Sequence, residues 1–286
     1  MSAFTYLRDP HFAEGVAIHG PRHEEGIVGQ FPADGRPVWQ LAQWGNYRHP
    51  LMGNTPCTSL AGGGFVLETP STLVTVRPDS RDYDLRLELR SSAEYAGRVR
   101  QEGEDWCHLL AEQGNLMEGT APLGQLSELR YQAQLRLDYY ESRKDPAVFD
   151  PRRHACQVHQ YFTVQDVVNN EFMWFGVTFF DSRYRHFPGY AWADIGKADA
   201  TGHIIVNQPQ EYFAPGVPGE KAWLTYDVDL LPLIRNAAGI AWGYQQFLKV
   251  DWNTTYITST NIGWEMFYEF DGAFEMRNMQ LTGYTK

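Results

Sequence analysis

The sequence predicts an all-β protein, a sandwich of two sheets with long loops and at most one or two short helices. Three observations predict it. Runs in which apolar and polar residues alternate recur along most of the chain, and stretches rich in Gly, Pro, Asn and Asp separate them. One run, FMWFGVTFF, is apolar on both parities, as a central strand covered on both sides must be. At 286 residues the chain is within reach of one large sandwich. No internal repeat or Gly/Ser linker divides it, so a single domain over 1–286 is expected.

In chain order, 35–50 carries Trp39 and Trp44 and reads as an edge strand or a loop crossing a sheet face. TLVTVRP (72–78) is the first clear strand. In 82–92, Leu85, Leu87 and Leu89 alternate with Arg86, Glu88 and Arg90. A strand sends alternate side chains to opposite faces, so these three leucines point to a core and the three charges point away. Residues 105–113 form another candidate. In 128–142, Leu129, Tyr131, Ala133, Leu135 and Leu137 share one face. RRHACQVHQYFTV (152–164) has Cys156, Val158, Phe162 and Val164 on one parity, interrupted by Gln160. Gln157, His159, Tyr161 and Thr163 take the other. Strands are also expected at 171–182, 203–207, 222–230, 261–271 and 273–284. A helix is expected at 229–239, with Asp229 as its N-cap and Gly239 as its stop. Long loops at 91–104, 141–153, 183–202 and 208–220 are rich in Gly, Pro, Arg and aromatics. The aromatic-laden 182–196 suits a loop packed over one end of a groove.

Composition narrows the function. A net charge of −11 without any Lys/Arg run speaks against nucleic acid as a partner. The longest apolar run is too short to cross a bilayer as a helix, so no membrane partner is expected. The start lacks the pattern of a secretory leader, which suggests a cytoplasmic or leaderless protein, or a secreted parent with its leader removed. Cys57, Cys107 and Cys156 are too few and too scattered for a disulfide framework or a zinc site, and no nucleotide-binding or nucleophile-elbow motif is present. No cofactor and no metal are therefore expected. Aromatic residues make up 14%, a level that suits both a large core and a surface that grips sugars.

Three polar-faced strands are candidates to line one groove. The first offers Arg86, Glu88 and Arg90, and the second Gln157, His159 and Tyr161. The third offers Glu265 and Glu269 on one parity or Trp264 and Tyr268 on the other. Amides and charges hydrogen-bond sugar hydroxyls, and aromatic faces stack on pyranose C–H surfaces. The expected ligand is thus a poly- or oligosaccharide, with Arg86, Glu88, Tyr161, Trp264 and Glu265 among its binding residues.

Two of these patches resemble motifs of the polysaccharide lyase 7 family, the alginate lyase type. RLELR (86–90) is similar to its R-[S/T/N]-E-L-R, with Leu87 departing from it, and QVH (157–159) matches its Q-[I/V]-H. WEMFYEFDG (264–272) stands where the family's third motif should be and keeps only Tyr268 as a stand-in for its tyrosine. The resemblance implies a concanavalin A-like jelly roll and β-elimination at a uronate. Arg90 and Gln157 would neutralise the substrate carboxylate, His159 or Tyr268 would take the C5 proton, and a tyrosine would protonate the leaving oxygen.

Two other classes stay open. Hydrolysis needs two carboxylates across the scissile bond, and Glu88, Glu112, Glu265 and Glu269 are available. Glu265 and Glu269 lie four residues apart on one strand, about 13 Å, so one of them needs Glu88 or Glu112 as its partner. A glycan-binding lectin needs the aromatics and amides but no titratable catalyst. His108 reads as a structural histidine, and Trp106, Trp174, Trp223 and Trp264 read as core.

Overall fold

The computed structural model describes residues 2–20, 24–28, 36–78, 80–143, 145–195, 200–214 and 221–286. Parts of two predicted loops, 196–199 and 215–220, lie outside the described residues. Strands are numbered in chain order. They are β1 (Ala3–Thr5), β2 (Val16–His19), β3 (Glu24–Val28), β4 (Trp39–Ala42), β5 (Cys57–Ser59), β6 (Phe65–Glu68), β7 (Thr72–Val76), β8 (Leu85–Arg90) and β9 (Cys107–Gln113). There follow β10 (Leu126–Ser142), β11 (Cys156–Asp166), β12 (Glu171–Asp181), β13 (Tyr190–Ala193), β14 (Ile204–Asn207), β15 (Leu224–Asp229), β16 (Thr255–Met266) and β17 (Phe270–Thr285). The described residues also form two α-helices, α1 (Ser91–Tyr95) and α2 (Leu230–Gly243), and three single-turn 3₁₀ helices.

The strands form a jelly-roll β-sandwich. One sheet runs β13-β14-β12-β11-β16-β9-β4-β2-β3, and the other runs β15-β10-β17-β8-β7-β6-β5, with β1 also paired to β17. Pairing is antiparallel except between β12 and β14 and between β2 and β4. The apolar parities face each other, as the alternation requires. Leu85, Leu87 and Leu89 of β8, Leu129, Tyr131 and Ala133 of β10, and Val158, Phe162 and Val164 of β11 are all buried. Gln160, the one polar residue on the apolar parity of β11, is buried too. Its side chain accepts a hydrogen bond from Tyr131 Oη across the core (2.5 Å) and donates to Thr260 Oγ1 (3.1 Å). Satisfied in this way, an amide can sit between two sheets without a desolvation penalty.

Several boundaries differ from the sequence reading. Trp39–Ala42 is an interior strand, paired on both sides by β2 and β9. β16 begins at Thr255, six residues before the expected start. Its first half is hydroxyl-rich (TYITST) and lacks the apolar alternation that marks the second. The predicted end of the 82–92 strand is instead α1. α2 is capped as expected, with the Asp229 carboxylate accepting from Leu231 N at 3.0 Å. It then runs through Gly239 to Gly243, because Ile234, Ala237, Ala238 and Ala241 continue a buried face at helical spacing. That face packs on β10, β12 and β14 at one end of the sandwich.

Candidate active site

The predicted groove strands do not share a surface. β8 belongs to the eight-stranded sheet, and β11 and β16 to the nine-stranded one. Arg86, Glu88 and Arg90 therefore point out of the opposite side of the molecule. There Glu88 takes Arg86 Nη1 at 2.7 Å, Arg90 Nε at 2.6 Å and Tyr139 Oη at 2.9 Å. Arg86 also meets Asp138 (2.9 Å), and Arg136 pairs with Glu275. Burial raises the Glu88 pKa, but the two arginines outweigh it and hold the carboxyl below its ordinary value. These residues are a closed ion-pair network, and the sequence expectation that they line the groove is corrected. Strand alternation says which side chains share a face, but it does not say which sheet the strand joins.

The outer face of the nine-stranded sheet carries a cleft of about 400 Å³. Register orders its floor in rows. Gln157, Glu265 and His108 lie side by side on β11, β16 and β9. The next row holds Gly263 and Leu110, and the one after it Tyr161, Asn261 and Glu112. Gly263 leaves the middle row open. A Cβ there would stand 2.0 Å from Leu109 O, so β9 passes too close for any side chain. Gly176 has a similar role beneath Tyr161, where a Cβ would fall 1.8 Å from Asn207 Oδ1. Aromatic walls rise on both sides, with Trp44, Trp106 and Phe267 at one end and Trp174, Tyr190 and Trp192 at the other. Trp192 is 50% exposed.

Glu265 is the most constrained group of the cleft. Its Oε2 accepts from Trp106 Nε1 at 3.1 Å and lies 3.5 Å from His108 Nε2. Burial alone would raise its pKa. The His108 hydrogen bond and charge, the His159 charge and the Trp106 hydrogen bond together overcome that, and bring it down to about 2. Glu112 shows the opposite balance. Burial raises its pKa, and the Gln40 hydrogen bond (Nε2 to Oε2, 2.8 Å) offsets this only in part. One floor thus holds a carboxylate kept ionised and a carboxyl biased toward its protonated form. That division separates a base from an acid. Gln157 is fixed next to Glu265 by donating to Asp181 Oδ2 at 2.7 Å, and Asp181 is locked in turn by Arg183 at 2.6 Å.

The other sequence candidates scatter. Tyr161 lines the cleft, with its hydroxyl accepting from Asn207 Nδ2 at 3.4 Å. His159 has the expected parity but lies beneath the floor, 1% exposed, with its ring against Tyr161 and Phe187. Its Nδ1 meets Thr178 Oγ1 at 2.9 Å, and burial lowers its pKa. It does not line the cleft. Trp264 points into the core, where its Nε1 donates to Leu87 O of the other sheet at 2.9 Å. Tyr268 is 2% exposed in the turn after β16, packed on His154 and Tyr95 and away from the cleft. The open parity of the 261–271 segment is therefore settled in favour of Glu265. Trp106 and Trp174, read as core, line the cleft instead. Trp106 shares its parity with His108 and Glu112, so the alternation contained that signal.

No protein-family model and no curated protein sequence matches the chain. Solved structures similar to it include the family 11 xylanase of Neocallimastix patriciarum (8% identity, TM-score 0.42, 86% of this chain and 100% of that one). A second is the family GH12 endoglucanase 3 of Trichoderma harzianum (9%, 0.39, 88% and 100%). A third is the xyloglucanase domain of a type three effector from Sinorhizobium fredii, in complex with cellobiose (10%, 0.38, 80% and 97%).

Proposed function

We propose that the cleft hydrolyses a glycosidic bond in a neutral poly- or oligosaccharide. The observation that carries this reading is the pairing of Glu265 and Glu112 on one floor with opposite shifts. Glu112 is the general acid that protonates the leaving glycosidic oxygen. Glu265 is the base that takes a proton from the water attacking the anomeric carbon. Gly263 and Leu110 between them leave a flat, partly apolar bed for a sugar ring, and the tryptophan walls offer stacking surfaces. Asn261 and Glu112 are register partners, so the two glutamates are offset by four residues, about 13 Å along the strands. That offset is too wide for the separation of about 5–5.5 Å in a retaining pair.

Elimination fits the cleft less well. It requires cations to neutralise a uronate, whereas among the described residues Asp105, Glu112, Asp194 and Glu265 line this cleft without any lysine or arginine. Arg86 and Arg90 are in the opposite sheet, and Tyr268 is buried against His154 and Tyr95. Incubation with a panel of neutral and uronate-containing glycans tests the reading. We expect new reducing ends from a neutral glycan, no absorbance from unsaturated products, and loss of about 10²–10⁴ in kcat for Glu265→Gln and for Glu112→Gln separately. Unsaturated products would establish a lyase. Glycan retention in an affinity gel without cleavage would establish a lectin. Undiminished cleavage by Glu265→Gln would remove the assignment.

A further inference from the structure

We propose that His108 is a proton-gated clasp on the cleft, donating to Glu265 and weakening it as a base until the ring loses one proton. The inference rests on the hydrolytic reading of Glu265 and Glu112 and adds a residue that governs both. It begins with geometry. His108 Nδ1 lies 2.8 Å from the carbonyl oxygen of Trp106, which can only accept, so Nδ1 carries a hydrogen. The other nitrogen, Nε2, faces Glu265 Oε2 at 3.5 Å. With the Nδ1 hydrogen committed, Nε2 can donate to Glu265 only in the doubly protonated ring. The neutral ring turns a lone pair toward the carboxylate.

Trp106 makes the arrangement rigid. It accepts from His108 through its backbone and donates to Glu265 through its indole at 3.1 Å. Its ring stacks on Phe267 at 4.5 Å, and the Arg100 guanidinium lies 5.2 Å from it. The ring of His108 is therefore held whether or not Nε2 is protonated, and the proton alone decides the contact.

The charged and titratable groups facing His108 come from three strands. Glu265 is on β16, Glu112 on the same strand as His108, and His19, which with His108 opposes the Glu112 shift, on β2. Asp105 joins the cleft from the segment before β9, and Trp44 lies edge-on at 6.0 Å. Losing the Nε2 proton to solvent removes one positive charge beside Glu265, a charge that Glu112 also feels from further along β9. Glu265 then becomes a stronger base, because its partner no longer donates to it. Glu112 holds its proton more tightly, because a nearby cation has gone. Both changes favour general acid–base hydrolysis, so a single deprotonation turns both groups toward activity.

The test uses two substitutions that each mimic one ring nitrogen. In His108→Asn the amide nitrogen replaces Nδ1 at the Trp106 carbonyl and deletes Nε2. In His108→Gln the longer amide replaces Nε2 as a permanent, uncharged donor to Glu265. In the pH profile of kcat, His108→Asn should shift the acidic limb by at least one unit to lower pH and leave the alkaline limb in place. His108→Gln should also lose the wild-type acidic limb, at a lower plateau. Independently of activity, a carboxyl-carbon NMR titration should show the Glu265 midpoint rising by more than one unit in His108→Asn. An acidic limb unchanged in both variants, with an unmoved Glu265 midpoint, would overturn the clasp even if hydrolysis is confirmed. If no glycan is cleaved, the hydrolytic reading falls, and the NMR titration still decides whether His108 holds Glu265.

Discussion

On the outer face of the eight-stranded sheet, Glu88 sits between two arginines and a tyrosine, Arg86 between three carboxylates, and Arg136 on Glu275. On the outer face of the nine-stranded sheet, Glu265 is held by a histidine and an indole, and Glu112 by a single amide. The first face matches charge with charge. The second surrounds its carboxylates with neutral or titratable donors and opens a cleft of about 400 Å³ over them. A guanidinium fixes a carboxylate permanently in its ionised form, which serves stability. Imidazole and amide partners leave protonation adjustable, which proton transfer requires.

Substituting one glutamate on each face breaks or sharpens the comparison most directly. Glu88→Gln leaves two half-buried arginines short of a counter-charge, and should cost about 2–3 kcal/mol of stability. Its cleavage rate should equal wild type, because the network is separated from the cleft by the whole core. Denaturant midpoints together with kcat on the same preparations check both halves. A fall in kcat of tenfold or more for Glu88→Gln, with the fold intact, would mean that the two faces are functionally coupled.

The pH dependence of stability gives a second contrast. The Glu265 pKa is lowered to about 2 from an ordinary 4.5. Its ionised form therefore contributes stability above pH 4.5, which is lost as pH falls through 2. The shift corresponds to about 3 kcal/mol at most. Glu112 has the opposite sign. Its pKa is raised, so its ionisation costs stability as pH rises, and the cost is relieved in acid. At neutral pH, Glu265→Gln should therefore lower the thermal midpoint and Glu112→Gln should raise it. A parallel change in the two variants across pH 2–7 would show that the opposite shifts assigned to them are wrong.

How much of this was legible beforehand follows from what alternation encodes. Period-2 patterning located the main strands and the floor residues Gln157 and Tyr161, because it records which side chains share a face. It placed Arg86, Glu88 and Arg90 wrongly, because solvent, a salt-bridge network and a cleft all accept the same polar alternation. Only the β8–β17 pairing, between residues nearly two hundred positions apart, assigns those charges to the far sheet. His159 failed for a related reason. Its parity was right, but the 183–195 segment lays Phe187 against it, and no local pattern foretells what a long loop will cover. Trp106 and His108 were readable as face-sharing residues. Their roles come from the register of β9 against β16, which sets His108 opposite Glu265.

The smallest predicted effect isolates the acid. Gln40 Nε2 donates to Glu112 at 2.8 Å, and this favours the ionised carboxylate. Gln40→Ala removes the donor, so the Glu112 pKa should rise further and the proton should persist to higher pH. The alkaline limb of kcat should then move upward by about half a unit to one unit, since water replaces part of the lost hydrogen bond. The acidic limb should stay in place, because Gln40 touches neither Glu265 nor His108. An amide on β4 would then act on one limb of the profile and an imidazole on β9 on the other. A shift of both limbs together would mean that the two carboxylates titrate as a single coupled unit, and the division of labour between acid and base on this floor would have to be abandoned.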